Sequence, residues 1–362
     1  MCGSSKGLAV IAAVFLTQTA CGSFVPPRGS ASSRPRTEPT SASAPSAGLS
    51  CRIPVFGVIA SSGRYLGAFI GVPGGQVSVD DNSEVVRGAG QSWHTVAQPT
   101  LYGYPDGSFD WAAQRWVPVP RALVSPDGLS YAYAEVPFNP NTTGDPFSPS
   151  RIHVVTVATG TDRVAYSQGY YGISGYEREG IYLVHHIPQT DGSDSVFLLD
   201  PVGGTLKTIH AGGVNWKVEG GSGWSADVAP EDATPPGKAT GDRLLRLDLK
   251  TGAATPWLRR PGFAVSELGV DSTGATLAVA ANQQAQEVWA VTAPEVARQV
   301  YAGPGWASSD VISFNYRSVV DDHGVWLLGR SALYLYSPGV SLAKVVDTPF
   351  AANNGTPAGS CR

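Results

Sequence analysis

Six histidines are the first place to look for chemistry: His94, His153, His185, His186, His210 and His323. A metal site turns imidazoles toward one point, which needs a spacing of two on a strand or four on a helix. None of the six has such a partner, and adjacent His185 and His186 on an expected strand face opposite sides. No metal ligand set is expected. Nucleophilic catalysis has no better footing. The chain lacks a Gly-x-Ser-x-Gly elbow, and Gly221-Ser222-Gly223 reads as a turn. Asp80-Asp81-Asn82-Ser83-Glu84 and Asp191-Gly192-Ser193-Asp194 offer oxygen ligands of the kind Ca²⁺ takes, but acidic turns are more often simply solvated. No catalytic residue and no cofactor is expected.

The four cysteines sort by position. Cys2 precedes an apolar run, Cys21 follows it, and Cys51 and Cys361 bracket nearly all the rest. Lys6 gives a positive start, and Gly7 to Leu16 is apolar but about half the ~20 residues that a membrane span needs. Residues 1–20 therefore read as a signal peptide. Its end, Thr17-Gln18-Thr19-Ala20-Cys21, resembles a bacterial lipoprotein signal, in which the cysteine after the cut is acylated. Ala20 and Cys21 fit that pattern and Gln18 departs from it. The resemblance implies lipidation at Cys21 and a membrane anchor. Ordinary secretory cleavage is the alternative. Gly22 to Ser50 is rich in Ser, Pro, Ala and Thr and poor in large apolar residues, so it cannot offset its ordering entropy. Residues 21–50 read as a tether and 51–362 as the folded domain.

Composition narrows the class. Charged residues are 15% of the 362, with 43 glycines and 28 prolines, which suits a turn-dense all-β chain outside the cytoplasm. The net charge of −4 carries no basic footprint, which excludes a nucleic-acid partner.

Positioning elements emerge as a repeat. Strand starts recur at Gly63-Arg64-Tyr65, Gly128 to Tyr131, Gly180-Ile181-Tyr182, Gly223-Trp224, Gly274 to Leu277 and Gly324-Val325-Trp326. The strands that follow end at Asp80, Thr156, Asp200, Asp248, Thr292 and Tyr336, spaced 76, 44, 48, 44 and 44 residues apart. A period near 44 is that of a four-stranded propeller blade, whose faces are covered by its neighbours around a ring. Short outer strands follow at Arg163–Tyr166, Leu206–Ile209, Arg298–Tyr301 and Ala343–Val346. Six blades with an elaborated first unit are expected; a seventh hidden in Ser92 to Val119 is the alternative. The ends of a ring meet, so Cys51 and Cys361 are expected to form a disulfide that clasps it.

Val124-Ser125-Pro126-Asp127-Gly128-Leu129-Ser130-Tyr131, with the Val157-Ala158-Thr159-Gly160 turn, resembles the TolB-like branch of the WD-repeat-like propellers. The other units match only the pattern. The whole chain also looks like secreted bacterial propeller lipoproteins without an assigned activity. That resemblance implies the fold and a binding or scaffolding habit, and it carries over no catalytic residue. Asp321-Asp322-His323-Gly324-Val325-Trp326 is similar to the Asp-box turn of sialidases, itself a structural turn.

Two long connections stand out. Pro137 to Ser150 is a Pro/Asn loop, and Asp81 to Arg115 carries Trp93, His94, Tyr102, Tyr104, Phe109 and Trp111. Exposed, these six form a candidate binding surface for a protein or glycan at the cell surface. Packed inward, they are the loop's own core. The expected function is a non-catalytic binding or scaffolding propeller, exported and held at the outer face of the membrane. The rival is a propeller polysaccharide lyase or glycosidase, which needs convergent carboxylates or a metal in the central mouth.

Overall fold

Near-continuous apolar runs ended by Gly- and Asp-bearing turns form strands buried on both faces. The computed structural model describes residues 48–59, 65–83, 107–135, 149–186, 193–213, 215–227, 241–305, 318–329, 332–347 and 355–362. Expectations on Cys21, Trp93, His94, Tyr102 and Tyr104 lie outside these residues, as do Glu84 of the first acidic turn and Asp191 of the second. Apart from two single 3₁₀ turns, the described elements are all strands. No helix among them is long and apolar enough to cross a membrane.

The strands form a six-bladed propeller. Blade 1 holds β1 (Cys51–Ile59), β2 (Tyr65–Val72) and β3 (Val77–Asp80). A hairpin of β4 (Ser108–Asp110) and β5 (Arg115–Val117) follows. Blade 2 has β6 (Ser130–Glu135), β7 (Arg151–Thr156) and β8 (Asp162–Tyr166), with Val124 bridging Tyr131 on the inner edge. Blade 3 runs β9 (Tyr171–Glu177), β10 (Gly180–His186), β11 (Ser193–Leu199) and β12 (Leu206–His210). Blade 4 runs β13 (Lys217–Glu219), β14 (Ser222–Asp227), β15 (Arg243–Asp248) and β16 (Ala254–Arg259). Blade 5 runs β17 (Ala264–Val270), β18 (Thr276–Ala281), β19 (Ala285–Ala293) and β20 (Val296–Pro304). Blade 6 runs β21 (Ser318–Asp321), β22 (Gly324–Leu328), β23 (Ala332–Tyr336) and β24 (Leu342–Asp347). The last strand, β25 (Thr356–Pro357), returns to blade 1 and pairs with Val55 and Phe56.

This return strand corrects one expectation. Gln76–Asp80 is the outermost strand of blade 1, not the counterpart of Ile152–Thr156. The counterpart is β2, because blade 1 takes its innermost strand from the C-terminus and every N-terminal strand moves out by one place. The extra length before blade 2 holds the β4–β5 hairpin rather than a seventh blade.

Apolar clusters fill the junctions between successive blades from 2 to 6 and from 6 back to 1. The junction of blades 1 and 2 is built differently. There the hairpin wedges Phe109, Trp111 and Trp116 against Phe56 and Phe69, with ring centroids 4.9 to 5.8 Å apart. Trp116 lies directly on Gly67, where a Cβ would come within 2.3 Å of its ring, and its Nε1 donates to Asp80 at 3.0 Å. Arg115 reaches across to donate to the Val157 carbonyl of blade 2 at 2.8 Å.

The clasp forms as expected. Cys51 and Cys361 are bonded, with Cα atoms 5.5 Å apart. Arg52 and Arg362 exchange backbone hydrogen bonds, and the Phe109 N–H donates to the Ala358 carbonyl, so the C-terminal strap is bonded along both edges. Asp321 fixes it to blade 6 by accepting from the Cys361 N–H at 2.8 Å and from Trp326 Nε1 at 2.9 Å.

Candidate functional site

The innermost strands β9, β13, β17, β21 and β25 line the centre of the ring, and their polar side chains are the ones the ring brings together. Lys217 and Glu219 sit two apart on β13 and so share a face. Glu267 enters from β17 in the next blade. Lys217 Nζ lies 2.5 Å from Glu219 and 2.8 Å from Glu267 Oε2, tying blades 4 and 5 through one cation and two carboxylates. The Glu267 side chain is 3% exposed, while Lys217 keeps 34%. Glu267 Oε1 is buried with no hydrogen-bond partner.

The charge count decides the chemistry. Burial disfavours the ammonium of Lys217, but Glu219 and Glu267 together outweigh it and hold its pKa above the ordinary value. Burial pushes Glu267 up; Lys217 opposes this and Glu219 adds to it, leaving the group at about 7. Glu177, on β9, is likewise raised by burial, against the Gly221 N–H that it accepts and with Glu219 and Glu179 adding repulsion. One lysine cannot neutralise the carboxylates of this wall, and the most buried of them takes the proton near neutrality.

A second polar knot lies on blade 2. His153 Nδ1 is 2.9 Å from Asp162 and Nε2 is 3.3 Å from Glu135, while Tyr133 stacks on the ring at 4.5 Å and donates its hydroxyl to Asp162 at 2.7 Å. The two carboxylates hold opposite edges of the imidazole and so share no common metal position. Among the described residues, no three His, Cys, Asp or Glu side chains converge as a metal-binding group.

The remaining sequence candidates resolve as follows. Phe109 is 7% exposed inside the aromatic wedge. Trp111 is half-buried there, and its Nε1 donates to the Ser360 carbonyl at 2.8 Å. Both rings therefore pack the blade 1–2 junction and hold the C-terminal strap. Asp80 accepts from Trp116, and Asp194 faces His185 at 3.0 Å. The Ser-Pro-Asp-Gly motif is a turn lock: Ser125 Oγ donates to Asp127 at 2.6 Å and accepts from the Ser130 N–H, with Gly128 at a φ of 74°. Two shallow cavities flank the clasp. One, of 440 Å³, lies beside Arg52, Gln76, Ser78 and Arg362, and one of 240 Å³ beside Asp322, His323 and Ser360.

No family model matches the chain, and no curated protein matches its sequence. Solved structures are similar to it in fold. The chain is 13% identical to a prolyl endopeptidase over 78% of its own length, with a TM-score of 0.47, and spans only 46% of that longer chain. It is 12% identical to an oligogalacturonate lyase from Vibrio parahaemolyticus, covering 79% of this chain and 72% of that one, with a TM-score of 0.39. It is 12% identical to TolB from Acinetobacter baumannii, covering 82% and 67%, with a TM-score of 0.38. Enzymes and TolB stand together in this set, and none of these likenesses bears on what this chain does.

The sequence gives no warning of Lys217, Glu219 and Glu267 as a group. Only ring closure brings β13 and β17 side by side. The available signal is weak: charged residues inside short strands that otherwise read as innermost and apolar.

Proposed function

We propose that this chain is an exported β-propeller, held at the membrane through Cys21 and the 22–50 tether, that binds a protein or glycan partner without catalysing a reaction. The observation that supports this is the asymmetry of the ring. In blades 2 to 6 the first-to-second and third-to-fourth connections fall at one end, and they are short turns, several of them closed by Asp and Gly as at Asp200 with Gly204, Asp248 with Gly252 and Asp271 with Gly274. The connections 136–148, 228–240 and 306–317 leave and rejoin strands at the other end. Long loops on a rigid ring are where a binding surface varies without cost to the fold. The Cys51–Cys361 bond supports an oxidising, extracytoplasmic setting.

The test replaces residues 138–147 with a short Gly/Ser linker and compares it with the parent domain for capture of envelope proteins and cell-wall glycans. Loss of a saturable ligand with unchanged thermal unfolding fits the reading. Equal capture by both, or by neither, contradicts it.

One observation favours the rival reading of an enzyme: Glu267 has a pKa suited to a general acid near neutrality. Against it, Glu267 Oε1 is closed off from solvent, and Oε2 is committed to Lys217. Turnover of acidic or neutral polysaccharide that disappears in Glu267→Gln, with the fold intact, would establish the enzyme.

A further inference from the structure

Among the described residues, four of the six exposed large apolar side chains stand on turns, or directly beside one, at one end of the ring. Leu129 is 67% exposed, Val202 86%, Val296 57% and Val340 57%. Leu129 belongs to the turn into β6, Val202 and Val340 to the turns before β12 and β24, and Val296 directly follows the turn into β20. The fully described connections at the opposite end, 167–170, 260–263 and 282–284, carry no exposed large apolar side chain.

The turns themselves do not require these residues. In blade 3, Asp200 accepts from the Val202 N–H at 2.9 Å, and Gly204 closes the turn onto the Asp200 carbonyl at 3.0 Å. Blade 4 repeats both bonds at 2.8 Å with Asp248, Lys250 and Gly252. The same turn thus accepts Lys250 where blade 3 has Val202, so the tip side chain is free of the fold. Single exposed valines are ordinary on protein surfaces. Four on separate blades, all at one end, ask for a common partner.

The end they share is the one at which the chain enters the ring. Cys51 pairs with Val72, beside the turn that leads into β3. We propose that this end rests on the lipid bilayer, with Leu129, Val202, Val296 and Val340 entering the headgroup region. The proposal rests on the membrane tether argued above. A coil of that length reaches roughly 30 Å, which keeps this end at high effective concentration beside the surface and lets weak contacts count. A protein partner needs a contiguous patch with a buried centre. Tips spread over blades 2, 3, 5 and 6 suit a flat and deformable surface instead. Charges of both signs surround them, Arg178, Lys250 and Arg362 against Glu179, Glu295 and Asp322, so attraction to anionic lipid is not the driving term.

The experiment uses residues 22–362 with an N-terminal histidine tag, held on phosphatidylcholine vesicles that contain a nickel-chelating lipid. An environment-sensitive fluorophore is placed at Val202→Cys, Val340→Cys or, at the opposite end, Asn282→Cys. The expected result is blue-shifted emission, with quenching by spin-labelled lipid several-fold stronger at 202 and 340 than at 282. In a Val202→Asp/Val296→Asp/Val340→Asp variant, with its fold checked by circular dichroism, a probe at Leu129→Cys should lose its quenching while the tag still holds the protein. Water-like emission at 202 and 340 on vesicle-bound protein overturns the proposal, as does preferential quenching at 282. The tag replaces the native anchor, so an unacylated Cys21 in cells would defeat the tether reading alone and leave this result standing.

Discussion

Replacing Glu267 with Gln tests the buried triad through the pH dependence of stability. The carboxyl is raised from an ordinary 4.5 to about 7. A folded-state pKa above the unfolded value gives a contribution fully present below pH ~4.5 and lost as pH rises through ~7. At 1.36 kcal/mol per pKa unit, the wild type gives up about 3 kcal/mol across that window from this one group. Glu267→Gln keeps a carbonyl oxygen for Lys217 to donate to and cannot ionise. It should match the wild type at pH 5 and exceed it by about 2–3 kcal/mol at pH 8. Urea unfolding at the two pH values, with the disulfide intact, reads this directly. Lys217→Met is the counterpart: it leaves two carboxylates without their cation and should cost about 3–5 kcal/mol at pH 8 and much less at pH 5. A Glu267→Gln difference that does not change between pH 5 and pH 8, or that reverses sign, would mean that Glu267 does not lose its proton in this window.

Other consequences follow from the ring closure. The Cys51→Ser/Cys361→Ser double variant removes a link spanning 310 residues and should lose up to about 5 kcal/mol, read as a lower urea midpoint. Asp321→Ala strips acceptors from the Cys361 N–H, Trp326 Nε1 and the His323 N–H. It should cost about 2–3 kcal/mol and speed reduction of the disulfide by thiols. Gly67→Val drives a side chain into Trp116, and it should destabilise by at least about 1–3 kcal/mol with a shift in tryptophan fluorescence.

The blades were legible because several of their tight turns share one chemistry, an Asp or Ser that caps the turn and a Gly that completes it. Asp200 with Gly204 and Asp248 with Gly252 show this clearly. Blade 1 escaped because its innermost strand is two residues of the C-terminus, Thr356 and Pro357, too short to show any periodicity. The strands β4 and β5, three residues each, were hidden for the same reason. Phe109 and Trp111 could be read as a surface or as packing from their types alone; the glycine beneath Trp116 and the return strap decide for packing. Lys217 and Glu267 are 50 residues apart, and no local pattern announces a contact made only when two blades meet.

A membrane-anchored, disulfide-clasped propeller is tested most simply by intact mass measurement of the native protein extracted from membranes, before and after reduction. The expected species is a chain that begins at Cys21, carries acyl mass, and gains two hydrogens on reduction as the Cys51–Cys361 bond opens. An unmodified chain with both thiols free would contradict it.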